Sequence, residues 1–221
     1  MSWNNLAAWW LDEVANDPAY DEIVTPLLLE ILRPEAERRY LDLGSGEGRV
    51  MRRLATEGVK AIGLDLNEEF LTVSAGPAVV AALPWIPLRD KSLDGVYSVL
   101  TLEHVADHES FFGESARVTR AGGVMALIIN HPIWTAPGST PITDTTGEVL
   151  WRFGEYFSSG STEVPAGDGS VTFHHRALAS LLNAASDAGW SLEQMIEKPH
   201  HEPGDQADIP RLLACRWSLL P

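Results

Sequence analysis

Apolar positions along this chain recur with two periods, and the switches between them mark an alternating series of helices and strands. In residues 3–16, Trp3, Leu6, Ala7, Trp10 and Val14 return at steps of three and four, and Trp9 and Leu11 widen the face. This spacing predicts a helix, stopped by Asn16-Asp17-Pro18. A second helix is predicted over residues 19–32, closed by Pro34, with Pro26 either in a first turn or at a kink. Short apolar runs at residues 40–43, 60–65, 78–82, 95–101 and 124–130 read as five strands. Amphipathic stretches lie between them. One carries Val50, Met51, Leu54 and Ala55; one covers residues 67–74, with Asn67 placed as its cap; one follows Asp107, with Phe111, Phe112, Ala116 and Val118 on one face. Strands alternating with helices predict an α/β fold, Rossmann-like and doubly wound, on a mostly parallel sheet with right-handed crossovers.

The last third changes the pattern. Residues 132–173 form a long connection rich in Pro, Gly, Ser and Thr that also carries Trp134, Trp151, Phe153, Tyr156 and Phe157. Connections of this length are usually functional covers or disordered, and the aromatics argue against disorder. A helix over residues 177–188, ended by Gly189, and closing strands at 192–197 and 212–219 bring the sheet to seven strands. The chain divides into a helical lid (1–34), a core (35–131), a cover insertion (132–175) and a closing unit (176–221) within one domain.

Composition narrows the partners. The formal net charge of −15 repels nucleic acid and anionic membrane surfaces, which leaves a small molecule as the expected partner. No run of about 18 apolar residues exists, and the first residues lack the pattern of a signal peptide. Cys215 is the only cysteine, so neither an internal disulfide nor a cysteine-built zinc site forms, no metal site is read, and a cytoplasmic location is expected.

The candidate chemistry centres on residues 40–50, Tyr-Leu-Asp-Leu-Gly-Ser-Gly-Glu-Gly-Arg-Val. A strand there turns through three glycines into a helix, whose first N–H groups and positive dipole end face whatever sits at the turn. The arrangement predicts a nucleotide-type pocket at the carboxyl end of the first strand. The nicotinamide fingerprint needs glycine at the sixth position from Gly44, where this chain has Arg49. Asp65 ends the second strand at about the distance, some 20 residues on, where an acid meets ribose hydroxyls.

The spacing from Asp42 to Gly48 resembles the first motif of the class I S-adenosylmethionine-dependent methyltransferases. Three further stretches resemble their ubiquinone/menaquinone-type ("methyltransferase type 11") group: Ile86 through Val96, Leu102-Glu-His-Val-Ala-Asp107, and Arg117-Val-Thr-Arg-Ala-Gly-Gly123. The helix that follows His174-His175-Arg176 is similar to another common element of that group. The resemblance implies S-adenosyl-L-methionine as cofactor and S-adenosyl-L-homocysteine as product. It implies that Gly44, Ser45 and Gly46 meet the methionine part, that Asp42 orders the turn, and that Asp65 and Leu66 hold the ribose and adenine edge. Leu100, Thr101 and His104 would sit near the sulfonium. An acid often contacts adenine from the end of the third strand in this group; here that position is Ala82, so backbone at Ala82 and Leu83 is expected to serve. Candidate bases are His131, His174 and His175, because histidine titrates near neutrality and His131 ends the fifth strand, and His104 is a further catalytic candidate beside the sulfonium; packing is the alternative for each. Trp10, Trp134, Arg152, Tyr156, His175 and Arg176 are the candidate substrate-binding residues, with Arg176 as an anion clamp or else in a structural ion pair. A nicotinamide-dependent reductase and a catalytically silent binding or regulatory protein are the alternatives to a small-molecule methyltransferase.

Overall fold

The computed structural model describes residues 6–14, 17–74, 76–199 and 209–221. Trp3 of the expected lid, and the pair His200 and His201, lie outside them.

Seven strands form one sheet: β1 (Arg39–Leu43), β2 (Lys60–Asp65), β3 (Ala78–Val80), β4 (Leu93–Val99), β5 (Thr119–Asn130), and two strands near the end of the chain, Trp190–Pro199 and Pro210–Leu219. The first five pair in parallel, and Pro210–Leu219 pairs antiparallel with both β5 and Trp190–Pro199. The chain leaves the middle of the sheet at β1, moves outward to β3, and returns through β4 and β5. That reversal opens a crevice at the carboxyl ends of β1 and β4, where ligands of such sheets bind.

Alternation along the central strands explains the two faces. On β5, Met125, Leu127 and Ile129 join a cluster with Phe111, Phe112, Trp190 and Trp217. Their neighbours Val124, Ala126 and Ile128 join Leu28, Ile31, Leu32, Tyr40 and Leu54 on the other side. Both sides of a parallel sheet must be covered, so its strands read as continuous apolar runs. The two expected N-terminal helices are each part π-helical: α1 (Ala7–Trp9) runs into a π-helical turn, Trp10–Val14, and α2 (Thr25–Leu32) covers only the second half of its expected span. The helices α3 (Arg49–Ala55), α4 (Glu68–Val73) and α5 (His108–Val118) lie where the periodicity predicts them. Asn67 and Asp107 cap α4 and α5, each accepting a backbone N–H at 2.9 Å. Pro26 sits at the start of α2, just after a π-helical turn, Tyr20–Val24, which realigns the hydrogen bonds where proline has no N–H to give.

The long connection is more regular than expected. After a short helix, α6 (Pro132–Thr135), it folds into two hairpins: β6 (Thr140–Thr143) with β7 (Val149–Arg152), and β8 (Ser161–Ala166) with β9 (Gly169–His174). The second turns through Gly167-Asp168, with Gly167 at φ 53°, a conformation suited to a two-residue hairpin loop. Helix α7 (Leu178–Asp187) follows, and the closing strands are then β10 (Trp190–Pro199) and β11 (Pro210–Leu219).

Candidate active site

The turn after β1 is built by glycines with positive φ. At Gly44 (φ 81°) a Cβ would lie 2.2 Å from Thr101 Cγ2, so only glycine lets β1 and the end of β4 approach. The outer side of Gly46 (φ 52°) meets nothing within 4 Å. Asp65 ties this turn to the next strand: Gly46 N donates to its Oδ2 and Asn67 N to its Oδ1, both at 2.8 Å. Burial raises its pKa, and the backbone donors oppose the rise.

Beneath the turn, Asp42 is buried, and burial pushes its carboxyl well above the usual carboxylate range. Neither Asp42 Oδ2 nor the nearby Tyr97 hydroxyl completes a hydrogen bond, although each perturbs the other. Ser45 Oγ is likewise buried without a partner. Unsatisfied buried acceptors at a pocket wall are costly unless a ligand supplies donors.

One pocket gathers all ten predicted cofactor residues: Asp42, Gly44, Ser45, Gly46, Asp65, Leu66, Ala82, Leu83, Leu100 and Thr101. Trp10 and His104 also line it. Leu100 holds φ 51°, a strained conformation for leucine, where β4 turns into the pocket. Sequence reasoning missed Tyr20, Glu47, Arg49 and Phe70 on the same walls. Glu47 accepts from Trp10 Nε1 at 3.3 Å and from Arg49 Nε at 2.7 Å, and the Arg49 guanidinium lies 4.0 Å over the Tyr20 ring. Trp10 meets Tyr20 and Phe70 edge to face. The signal for this group was a charged pair inside a glycine turn, which has no reason to be there unless something packs on it.

His104 ends a short 3₁₀ turn, Leu102–His104, after β4. Its Nδ1 lies 3.1 Å from the Thr172 carbonyl, so Nδ1 carries the proton and Nε2 the lone pair. Burial lowers its pKa to about 4, so the ring is neutral at pH 7.

The remaining candidates lie elsewhere. His131 is buried as the cap of α6: Nδ1 accepts from Ile133 N and Nε2 donates to Glu197, which occupies both ring nitrogens. His175 is buried too, with Nε2 donating to the Tyr156 carbonyl and Nδ1 facing Thr135 Oγ1. Tyr156 accepts from Leu178 N, and Trp134 stacks on Trp151 at 4.5 Å. Arg152 is exposed on the first hairpin. His174 and Arg176 border a minute cavity behind the 3₁₀ turn rather than the main pocket. The Arg176 guanidinium donates to four backbone carbonyls, which corrects the expectation of a clamp for a substrate anion.

A family profile described as "Methyltransferase domain" matches residues 41–127. An S-adenosylmethionine-dependent methyltransferase structure from Mesorhizobium loti superposes with TM-score 0.71 and 26% identity, over 94% of this chain and 99% of that one. Residues 41–127 thus match a methyltransferase domain, and the chain is similar in sequence and fold to S-adenosylmethionine-dependent methyltransferases. A probable S-adenosylmethionine-dependent methyltransferase of Mycolicibacterium smegmatis is 29% identical over 184 residues, 73% of this chain and 70% of its own length. An uncharacterized methyltransferase of Mycobacterium bovis is 39% identical over 110 residues, 48% of this chain and 45% of the relative. The chain thus spans about half the length of several curated relatives it matches. The match to the profile covers the glycine turn and the ends of β2 and β4 that line the main pocket, leaves out Trp10 and Tyr20 on its walls, and ends before the two hairpins.

Proposed function

We propose that this protein transfers the methyl group of S-adenosylmethionine to a small-molecule acceptor whose reacting atom lies beside His104. The observation that carries the reading is one pocket lined by the Asp42–Gly46 turn, Asp65 and His104 together. Bound S-adenosylmethionine supplies an electrophilic methyl group on a sulfonium. Glu47 and Asp65 outnumber Arg49 among the charged pocket residues, which suits a cationic donor. Asp42 Oδ2 and Ser45 Oγ have acceptor capacity for the methionine end, and Asp65 has lone pairs beyond its two backbone donors for the ribose hydroxyls. Backbone at Ala82 and Leu83 borders the adenine end, where no carboxylate stands.

His104 Nε2 accepts a hydrogen bond from the reacting hydroxyl or amine and takes its proton as the methyl bond forms. Arg49 is already paired with Glu47, and Arg152 and Arg176 are elsewhere, so among the described residues no arginine stands ready to hold an anion at the reacting end of the acceptor. The net charge supports a small molecule over nucleic acid. Among the described residues no helix is long and apolar enough to cross a membrane, and cytoplasmic placement is part of this proposal. Transfer of labelled methyl from S-adenosylmethionine into a fractionated metabolite extract identifies the acceptor. With it in hand, His104→Ala should lower kcat about 100-fold and leave the Kd of S-adenosylhomocysteine unchanged. Full turnover by that variant would remove His104 from the chemistry. Donor binding by the wild-type protein with no transfer to any fraction would favour the silent binding protein.

The roof of the pocket is read as a lid in two joined parts. Leu6, Ala166 and Val171 make a small apolar cluster with Trp9, Val164 and Phe173, apart from the two clusters of the sheet. Trp9 thus seats α1 on the second hairpin, while Trp10 reaches Glu47 in the pocket wall. Amide exchange in residues 7–14 and 161–174 should slow together when S-adenosylhomocysteine is added. Unchanged exchange in both would show a fixed roof, and protection of one segment alone would show that the two move separately.

A further inference from the structure

Arg176 is a buried cation with no carboxylate among its hydrogen-bond partners. It stands between β9 and α7, 8% exposed. Its Nη1 donates to the carbonyls of Leu102 at 3.1 Å and His174 at 3.3 Å, and its Nη2 to those of Val105 and of Ala106, the last at 2.9 Å. Three of these four acceptors belong to residues 102–106, the irregular stretch between the end of β4 and the cap of α5. Leu102 O also accepts the N–H of Val105 at 3.1 Å, but the stretch has no sheet or long helix to satisfy the carbonyls of Val105 and Ala106, and a buried unsatisfied carbonyl is costly. A planar guanidinium with five N–H groups holds several at once; an ammonium on a flexible stem cannot match that fork.

The same stretch carries His104, which is gripped from a second side. Its Nδ1–H donates to the Thr172 carbonyl, and its ring meets Phe173 edge to face at 4.7 Å. Its backbone N–H donates to the Thr101 carbonyl at 2.8 Å. The turn is therefore fixed from behind by Arg176, while the imidazole is fixed from the side by β9. Both grips come from the junction of the second hairpin with α7, outside the residues that match the methyltransferase profile.

We propose that Arg176 and the Thr172–Phe173 step of β9 are positioning residues for His104, which hold its proton on Nδ1 and set Nε2 at the acceptor end of the pocket. The role rests on the reading of His104 as the group that meets the acceptor, yet the positioning is measurable without turnover. It also explains why a buried arginine precedes α7 outside the main pocket. A carbonyl at Nδ1 admits only the Nδ1–H tautomer, and the tautomer decides which ring nitrogen can take a proton.

Long-range proton–nitrogen spectra of ¹⁵N-histidine-labelled protein test this, with the His104 signals assigned by their loss in His104→Ala. Wild-type protein should show His104 in the Nδ1–H form alone. Arg176→Lys keeps the charge but not the fork. It should show mixed His104 tautomers and a fall in kcat of roughly 10- to 100-fold, the size seen when a group orienting a functional side chain is lost. The Kd of S-adenosylhomocysteine should not change. Phe173→Ala, on a half-buried position, should move the same signals in the same direction and serves if the Arg176 variant does not fold. An Nε2–H tautomer in the wild-type protein would overturn the proposal. So would an unmixed Nδ1–H signal with full kcat in Arg176→Lys and in Phe173→Ala. Failure of the base assignment itself is seen separately, as full turnover by His104→Ala with the wild-type tautomer still Nδ1–H.

Discussion

Gly46→Arg is expected to abolish measurable binding of S-adenosylhomocysteine in a protein that still folds. A Cβ at Gly46 meets nothing within 4 Å, so the new side chain leaves the backbone without a clash at its base. The backbone there holds φ 52°, which costs a non-glycine residue about 1 kcal/mol, a fraction of the stability of a domain this size. The guanidinium is then drawn to Asp42 and Asp65 on the same walls and fills the space of the methionine moiety. A loss of at least about 100-fold, near 2.7 kcal/mol, should appear by calorimetry. NADH, titrated alongside, should bind neither protein. Gly44→Ala should fail differently, because its Cβ would strike Thr101 at 2.2 Å and unsettle the fold itself. Wild-type affinity in Gly46→Arg would place the donor somewhere other than this turn.

That the residues of the glycine turn and Asp65 share one pocket was legible in the sequence because their grouping is local. Three glycines, one acid and a helix start lie within a few residues, and the second acid ends the next strand. Short-range rules therefore place Asp42, Gly46 and Asp65 on one rim before any tertiary contact is known. The acceptor side was not legible, because what decides it is long-range. Arg176 read as an anion clamp from its residue type alone, and its carbonyl partners stand some 70 residues earlier in the chain. His131 ends β5 at the functional edge, as expected, but the following proline starts a helix that it caps, and Glu197 takes the other nitrogen. The second hairpin is a different case. Val164-Pro-Ala-Gly-Asp-Gly-Ser-Val171 carries a two-residue turn signal between β-branched residues, and the abundance of Pro, Gly and Ser around it disguised the pattern as an open loop.

Asp65→Asn is expected to be at least as damaging as Asp65→Ala, although asparagine is the closer match in shape. Both carboxylate oxygens accept a backbone N–H: Oδ1 from Asn67 and Oδ2 from Gly46, each at 2.8 Å. An amide has one acceptor oxygen, and its NH₂ must face the other N–H whichever way it is turned. Facing Asn67, it disturbs the entry to α4. Facing Gly46, it pushes the glycine turn away from β2 and spoils the floor of the donor pocket. Alanine leaves the same two donors unpartnered but sets no donor against them. A buried donor left unsatisfied costs about 1–3 kcal/mol, so both variants should melt measurably below the wild-type protein. Each also loses the acidic partner proposed for the ribose hydroxyls. A hydrogen bond to a charged group contributes about 1.5–3 kcal/mol, which corresponds to roughly a 10- to 100-fold weaker Kd for S-adenosylhomocysteine. Thermal unfolding and calorimetry on the pair separate the two duties of the carboxylate. If Asp65→Asn melts and binds as the wild type does, one acceptor oxygen suffices, and the bridge between the glycine turn and α4 is not what shapes the pocket.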